Sequence, residues 1–424
     1  MTEWHYEPYF SLHGALQRGQ GIAAARLRGE PEHAPLVYAC TGRDTRWDRQ
    51  VDDRYTYLAR LLRDLRLDPA PLIAQLRARG PRPDRADDGN RFTLAAGILA
   101  VLARTGDMRA REALRDYVRD GVRWIEVLEN LPHNWPVDWW DDTWETAAAR
   151  IDAEDASRLL PYSEPWQRWH GRDPRLDAVL DAAGRDRAGP PLCRTDLTAA
   201  SDAELVARLV VPGADRGSLT AALRQIRHRG RPIPELLDVV EHLAPTRPPG
   251  LFGALRVQGP LIVARARAWA CDPEHPLFLD APDLLAEHGD ERDIPVLLVA
   301  LDRLADTWCG YDTLTEGLTR LLTNSPPAAH AEARTTLVRR LRGQVIASPH
   351  SYERASYLRS LLQLDLPGTT GMLPPYLLDC EPEVRLLAAR HTPLTDHARR
   401  WLTELRDDPI EDDEVRQAAA RRIA

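Results

Sequence analysis

Tryptophan and carboxylate side chains lie together in one short segment, Trp135–Glu145, whose sequence is WPVDWWDDTWE. With Trp166 and Trp169 it holds six of the twelve tryptophans of the chain. A carboxylate in an aromatic pocket stabilises an oxocarbenium-like cation, the charge that develops when a glycosidic bond breaks. The segment therefore supplies the candidate catalytic side chains, which are those of Trp139, Trp140, Asp141, Asp142 and Glu145.

A purely structural role explains the same segment. A helix with Asp138 as its N-cap would place the carboxylates on one stripe, at spacings of three, four and seven residues. Trp140 and Trp144 would share another face with Ile151, a pattern typical of a core. Acidic residues in a first helical turn are also stabilised by the helix dipole. We favour this interpretation, in which no residue is catalytic.

Two arginine-rich stretches are candidates for binding a partner. Residues 43–54 contain ten polar or charged residues out of twelve, which is typical of a salt-bridged surface turn. Arginine and tryptophan also anchor protein interfaces, so Arg46 and Trp47 are alternatively interface residues. Arg227, Arg229 and Arg231 belong to the second cluster, which either contacts phosphates of a partner or is a solvated helix end.

Several enzyme classes are excluded by what the sequence lacks. All 56 basic residues are arginine, so a Walker-A loop, a kinase strand lysine and a Schiff-base lysine are absent. No HExxH, GxSxG, GxGxxG or EF-hand motif occurs. The five cysteines are scattered without a CxxC pair, which predicts small buried hydrophobes. We expect no cofactor and no bound metal.

Charge and hydropathy limit the classes of partner that the chain can bind. The formal net charge of −8 argues against a surface that is basic throughout, although a local basic stripe for DNA is compatible with it. No apolar run reaches the ~18 residues of a membrane helix, and no signal peptide is visible. The sequence therefore predicts a cytoplasmic protein without a membrane partner.

Helical periodicity dominates the chain, and two echoes indicate repeated helical hairpins. Residues 383–390 (EVRLLAAR) are echoed by residues 414–421 (EVRQAAAR), an offset that matches the length of one helical hairpin. Residues 102–109 (LARTGDMR) are echoed by 285–292 (LAEHGDER), each closing one helix and opening the next. A repeat of this length predicts an all-α protein built from stacked antiparallel helical hairpins. A break at 182–200 predicts two regions, 1–185 and 198–424.

These motifs resemble those of the HEAT-repeat family of armadillo-type α-solenoids. The EVRxxAA signature after an acidic turn carries the resemblance at the C-terminal end of the chain, and GDxR carries it at the other hairpins. The resemblance implies a right-handed superhelix whose concave face binds a protein, and sometimes nucleic acid. It carries over no catalytic residue. We therefore expect a non-enzymatic scaffold or adaptor for a protein partner.

A second resemblance supports an alternative. Some bacterial DNA glycosylases for alkylated purines are HEAT-like solenoids with a Trp-Trp-Asp-x-x-Asp stretch, which Trp139, Trp140 and Asp141 match. Trp144 occupies the second acidic position, and the nearest carboxylate is that of Glu145. A shift of one residue rotates a side chain by about 100° on a helix. This resemblance implies a DNA glycosylase or a protein that binds damaged DNA.

Overall fold

The structure is a computed structural model that describes residues 6–43, 45–46, 52, 54–78, 86–188, 197–304, 310–326 and 328–424. In this part of the chain the regular elements are all helices, as the periodicity predicts. In chain order the α-helices are α1 Leu12–Gln17, α2 Gly21–Gly29, α3 Pro35–Thr41, α4 Arg54–Asp64, α5 Ala70–Arg77, α6 Ala86–Arg104, α7 Met108–Asp120, α8 Trp124–Asn134, α9 Trp144–Arg150, α10 Trp166–Trp169, α11 Pro174–Ala188, α12 Asp202–Leu209, α13 Arg216–Arg229, α14 Glu235–Leu243, α15 Leu251–Arg256, α16 Val263–Ala270, α17 Ala281–His288, α18 Ile294–Arg303, α19 Tyr311–Asn324, α20 Ala331–Ala347, α21 Arg354–Leu364, α22 Leu366–Thr370, α23 Pro382–His391, α24 Asp396–Asp407 and α25 Asp413–Ile423. None of the helices in the described ranges has the length and apolar character needed to cross a bilayer.

The echo at 383–390 and 414–421 lies within α23 and α25, and the echo at 102–109 and 285–292 lies at the turns of two helical hairpins. At the first of these turns, α6 ends at Arg104, Gly106 adopts a φ of +102°, and the Asp107 side chain accepts a hydrogen bond from the Ala110 N–H to cap α7. At its echo α17 ends at His288, and Asp290 caps the 3-10 turn that leads into α18. A capping box begins α12, because Ser201 and Glu204 cap this helix reciprocally.

The chain divides into two compact units. Unit 1 contains residues 1–190, 346–355 and 367–424, and unit 2 contains residues 191–345 and 356–366. The break near 190 lies inside the predicted boundary region. Residues 367–424, however, belong with the N-terminal residues in unit 1, although the predicted second region, 198–424, includes them. Their side chains make the buried ion pairs and hydrogen bonds with the N-terminal residues that are described below.

Helix α6 forms the centre of the N-terminal part of unit 1. It packs against α3, α4, α5, α7 and α8. Residues 94–103 are buried on every face of the helix, which suits a helix surrounded by others. Small side chains such as Ala95 and Ala100 allow its neighbours to approach closely.

A buried turn, Gln17–Gly21, joins the N-terminal and C-terminal segments of unit 1. The Cys380 N–H donates to the Gly19 carbonyl at 2.9 Å, so the two segments pair through their backbones. Arg354 donates to the Arg18 carbonyl at 2.7 Å and to the Asp379 carboxylate at 2.6 Å. Both guanidinium contacts are buried, so this turn fixes residues 379–380 beside α1 and α2.

Polar contacts inside the units repeatedly span one helical hairpin. Arg150 donates to the Val118 and Gly121 carbonyls at 2.6 and 2.7 Å, at the end of α7. Arg320 and Arg422 make similar contacts to the ends of α17 and α23. The last carbonyls of a helix lack intrahelical donors, and these guanidinium groups supply them.

The cysteines only partly match the prediction of buried hydrophobes. Cys40 and Cys380 are buried, but Cys271 is exposed. Cys271 is the C-cap of α16 and is followed by a polar turn, which explains its exposure. Cys193 and Cys309 lie outside the described residues.

The Gln17–Gly21 turn generates a stability prediction. A Cβ added at Gly21 would lie 2.0 Å from the Pro375 carbonyl oxygen, whereas one added at Gly29 would meet nothing within 4 Å. We expect Gly21→Ala to lower the free energy of unfolding by about 2–4 kcal/mol, because backbone must move. The matched control Gly29→Ala should be neutral or stabilise by up to about 1 kcal/mol. Urea unfolding of both variants measures the difference, and equal stability would contradict the tight approach.

Candidate functional site

An open cavity of about 570 Å³ lies in unit 1 between α2 and α4 on one side and α24 on the other. We call it the α4–α24 groove. Its lining residues are Ala24, Arg28, Tyr57, Arg60, Leu61, Arg63, Asp64, Leu65, Leu377, Leu378, Asp379, Arg385, Trp401, Glu404, Leu405, Asp407, Asp408 and Pro409. They come from two segments near opposite ends of the sequence, 24–65 and 377–409, so the groove exists because those segments meet.

Apolar side chains form much of the bottom of the groove. Leu61, Leu377 and Leu405 are buried beneath it, whereas Leu65 and Leu378 are half-buried and reach its surface. Trp401 is half-buried on α24, and its ring meets that of His397 edge to face with centroids 4.5 Å apart. The groove therefore offers an aliphatic surface and part of an indole ring to a ligand.

Ion pairs below this surface hold the walls together. Arg63 contacts the Asp408 carboxylate at 2.9 Å, and Arg60 contacts it at 3.1 Å. Burial alone would raise the pKa of Asp408, but the hydrogen bond from Arg63 and the charge of Arg60 outweigh burial and lower that pKa. Arg385 binds Glu411 through Nε at 2.7 Å, and this pair is almost fully buried. The carboxylates stay ionised and join α4 to the α24–α25 segment.

One ion pair crosses the groove closer to solvent. The Arg28 guanidinium on α2 contacts Asp64 at 2.5 Å and Glu404 at 2.6 Å. Its Nε is buried without a hydrogen-bond partner. The Glu404 side chain is 54% exposed, so this end of the groove is accessible to a ligand.

The chemistry of the groove favours binding over catalysis. Among the described residues, its lining contains no serine, cysteine, histidine or lysine that would act as a nucleophile or as a base near neutral pH. No group of metal-ligating side chains occurs in the described ranges. Aliphatic, aromatic and paired charged side chains together are typical of a surface that recognises a peptide segment.

The tryptophan and carboxylate segment does not form the predicted helix. Residues 137–139 and 141–143 are two 3-10 turns, and α9 begins at Trp144. Trp140 has a φ of −135°, which interrupts the helix between the turns. Arg115 donates to the Trp139 carbonyl at 2.6 Å, and so satisfies a backbone acceptor that lies outside a continuous helix. The helix expected from Asp138 is therefore wrong.

Trp140 lies in the core of unit 1. It is 1% exposed, and its ring lies 5.9 Å from that of the buried Trp169. Trp144 and Ile151 pack against the same core cluster. A base-binding groove would need an accessible Trp140, so the buried ring does not fit that alternative.

The acidic candidates of this segment are paired or exposed. Asp141 accepts a hydrogen bond from the Trp169 indole at 2.9 Å and contacts Arg172 at 3.1 Å. A hydrogen bond from Arg115 lowers the pKa of Asp142. Glu145 is exposed in the first turn of α9. These contacts give the carboxylates structural roles between neighbouring helices.

The remaining tryptophan candidate, Trp139, is half-buried beside Trp135. Its ring centroid lies 5.9 Å from that of Trp135 and 4.2 Å from the Arg111 guanidinium carbon. The cation covers one ring face at that distance. Trp139 therefore packs edge to face on Trp135 and under Arg111, between α7 and the 3-10 turn at 137–139.

Three of the predicted partner-binding arginines are buried or ion-paired. Arg46 is 4% exposed and lies 5.8 Å from the Tyr55 ring, which excludes it from an exposed rim. Trp47 lies outside the described residues. In unit 2, Arg229 and Arg231 share the Asp202 carboxylate, and Arg227 is exposed at the end of α13. Arg227 and Arg231 are therefore both exposed to solvent, and Arg229 is half-buried.

Comparisons with known proteins give no match. No family model matches the chain, and searches of the curated proteins and of the solved structures also find none. The HEAT resemblance therefore rests on the sequence motifs and has no support from these comparisons.

Sequence reasoning missed the groove because none of its residues forms a local motif. Arg28 and Asp64 lie near one end of the chain, and Trp401, Glu404 and Asp408 lie near the other. The available signal was the spacing of Trp401 and Glu404 on a strongly amphipathic α24, which marks an aromatic and an acidic residue on one face.

One carboxyl group in unit 2, that of Asp283, has a raised pKa. Asp283, in the first turn of α17, is half-buried, and burial together with the charges of Asp280 and Asp312 raises its pKa to about 7. Asp280 itself pairs with Arg247 at 2.7 Å. A carboxyl that is harder to ionise in the folded state destabilises the fold once it must ionise.

This shift sets a pH dependence for stability. Because the folded pKa of Asp283 lies above its ordinary value of 3.8, the wild-type protein loses stability between about pH 4 and about pH 7. We expect Asp283→Asn to raise the free energy of unfolding by about 1–3 kcal/mol at about pH 8, with no gain at about pH 4. Thermal unfolding at both pH values measures this, with exposed Glu274→Gln as the control. A gain independent of pH would contradict the assignment.

Proposed function

We propose that this protein is a non-enzymatic adaptor of HEAT-like helical repeats, and that it binds a segment of a protein partner. In this proposal the hairpins of each unit stack as in a right-handed solenoid. The α4–α24 groove is the binding site that we assign within the described residues. The observation that carries the proposal is an accessible groove with an apolar bottom, a half-buried tryptophan and charged side chains at its edge.

Regular spacing of helices in unit 2 supports the repeat architecture. Helices α13, α15, α17 and α19 begin at Arg216, Leu251, Ala281 and Tyr311, and the alternate helices α12, α14, α16 and α18 begin at Asp202, Glu235, Val263 and Ile294. Within the first row each helix packs against the next one. Both rows keep an almost constant interval, which is typical of helical-hairpin repeats that bury their apolar faces by stacking.

The polar contacts between hairpins have the same period. Glu241 on α14 accepts from the Trp269 indole at 3.0 Å and contacts the His275 imidazole at 3.0 Å. Arg267 on α16 binds Asp293 at 2.7 Å in the next hairpin. Each contact links neighbouring hairpins inside unit 2, which supports a fold stabilised by nearest-neighbour interfaces.

The groove fits a protein segment better than DNA. Phosphate binding needs guanidinium groups that are free to contact the backbone. Arg60 and Arg63 instead bind Asp408, and Arg385 binds Glu411. An apolar bottom also has no counterpart on a phosphate backbone. A side chain of a protein partner can bury apolar surface against the half-buried Leu65 and Trp401, and such anchors carry most interface energy.

Replacing the groove tryptophan tests the proposal. We expect Trp401→Ala to weaken partner binding about 10- to 100-fold, because anchor residues of this kind contribute about 1.5–3 kcal/mol. The measurement is affinity capture from native lysate, followed by titration of the identified partner. Tyr162→Ala is the matched control, because Tyr162 is a 67% exposed aromatic of unit 1 that does not line the groove.

Two results would contradict this function. One is a partner that binds Trp401→Ala as tightly as the wild type, because the groove would then not be the site. The other is the absence of any captured partner that the wild type and Tyr162→Ala share. Circular dichroism of each variant checks that its helices are intact.

A further inference from the structure

We propose that the segment bound in the α4–α24 groove carries an arginine, whose guanidinium takes the place of Arg28 between Asp64 and Glu404. The inference rests on the proposed function, because it names the chemistry of the partner at the same site. Arg28 is then an intramolecular competitor that occupies the cation position of the groove when no partner is bound.

The carboxylates of the groove already bind a guanidinium. Asp64 and Glu404 contact two different nitrogens of Arg28, at 2.5 and 2.6 Å. A planar guanidinium thus fits between α4 and α24 with charge-assisted hydrogen bonds on both sides. The geometry selects the same chemical group in a partner.

The bonds to Arg28 leave room for exchange. Its Nε is buried without a hydrogen-bond partner, so the site satisfies this guanidinium incompletely. Asp64 also contacts Arg63 at 2.8 Å and would keep a cation if Arg28 left. In the described part of the chain Glu404 has its ion pair with Arg28 alone. Glu404 is therefore the carboxylate that becomes available to the guanidinium of a partner when Arg28 leaves.

Exchange of one guanidinium for another is nearly neutral electrostatically, so the surrounding surface decides the outcome. On α24, Trp401 and Glu404 are three residues apart and share one face. An incoming arginine at Glu404 lies within reach of the indole, which attracts cations. Apolar residues beside that arginine gain contact with the half-buried Leu65 and Leu378, a contact that Arg28 does not make use of in the same way.

The charge of the whole chain favours the same partner. At a formal net charge of −8 the protein attracts a basic segment over distance and repels an acidic one. The exposed Asp407 adds a carboxylate at the groove edge, although it also pairs with Arg406. Charge complementarity therefore commits the groove to a basic and apolar occupant.

Fluorescence polarisation with two short peptides tests the inference. One fluorescent peptide alternates leucine and arginine, and the other alternates leucine and glutamate. The full chain should bind the arginine peptide and should not bind the glutamate peptide. Glu404→Gln should weaken that binding about three- to tenfold, since it removes one carboxylate of a solvent-accessible pair.

The direction of the affinity change in an Arg28 variant decides between competition and a structural role. Arg28→Gln should strengthen binding of the arginine peptide about three- to tenfold, because it removes the competitor and frees Glu404. A merely structural role for Arg28 predicts weaker binding instead. Glu414→Gln removes a carboxylate from the exposed first turn of α25, outside the groove, and should leave the affinity unchanged.

The possible failures are distinguishable. If Arg28→Gln weakens binding or leaves it unchanged, the inference about arginine is overturned. Equal binding of both peptides that is lost in Trp401→Ala also overturns it, but keeps the groove as a protein-binding site. Binding of the arginine peptide that Trp401→Ala and Glu404→Gln do not affect overturns both proposals, because the contact would lie elsewhere.

Discussion

Buried guanidinium groups at the Gln17–Gly21 turn hold unit 1 together. Arg354 joins the Arg18 carbonyl to the Asp379 carboxylate, and it is only 1% exposed. A buried ion of this kind is costly unless all its donors are satisfied, and the loss of one partner leaves an uncompensated charge. The N-terminal and C-terminal segments of the unit therefore depend on each other, although they lie near opposite ends of the sequence. Position 19 requires glycine for two reasons. Its φ is +66°, and a Cβ there would lie 2.4 Å from the Cys380 sulfur.

Arginine side chains also bind backbone carbonyls between neighbouring hairpins. Arg150, Arg320 and Arg422 each donate to carbonyls at the end of a helix about one hairpin earlier in the chain. A guanidinium has five donors in a rigid fork, so one side chain can satisfy two carbonyls. Because the 56 lysine and arginine residues of the chain are all arginine, this group is the cation available for such contacts. Helix ends that would otherwise lack donors become the contacts that stack one hairpin on the next.

Local patterns in the sequence predicted the helices well, because their causes are local. The capping residues Asp107 and Ser201 act within three residues of their own positions, and apolar spacing predicted the hairpins around them. The groove and the membership of residues 367–424 depend on pairs such as Arg63 with Asp408, which no spacing rule identifies. The prediction of a helix with Asp138 as its N-cap was wrong for a different reason. The acidic and tryptophan spacing of its segment suits a helix, but tertiary contacts such as Arg115 with the Trp139 carbonyl favour two 3-10 turns.

The contacts that close unit 1 also shape the groove, and this has a consequence for binding. Arg28 and Arg63 both connect the α2–α4 side to the α24 side, but they differ in depth. Asp408 is nearly buried and binds Arg60 as well as Arg63, so the walls stay joined if a ligand displaces Arg28 from Glu404. A partner can therefore exchange one exposed ion pair while the buried ones keep the groove width fixed. Binding then requires little reorganisation of the fold, and a preorganised groove loses less free energy on association than one that must first form.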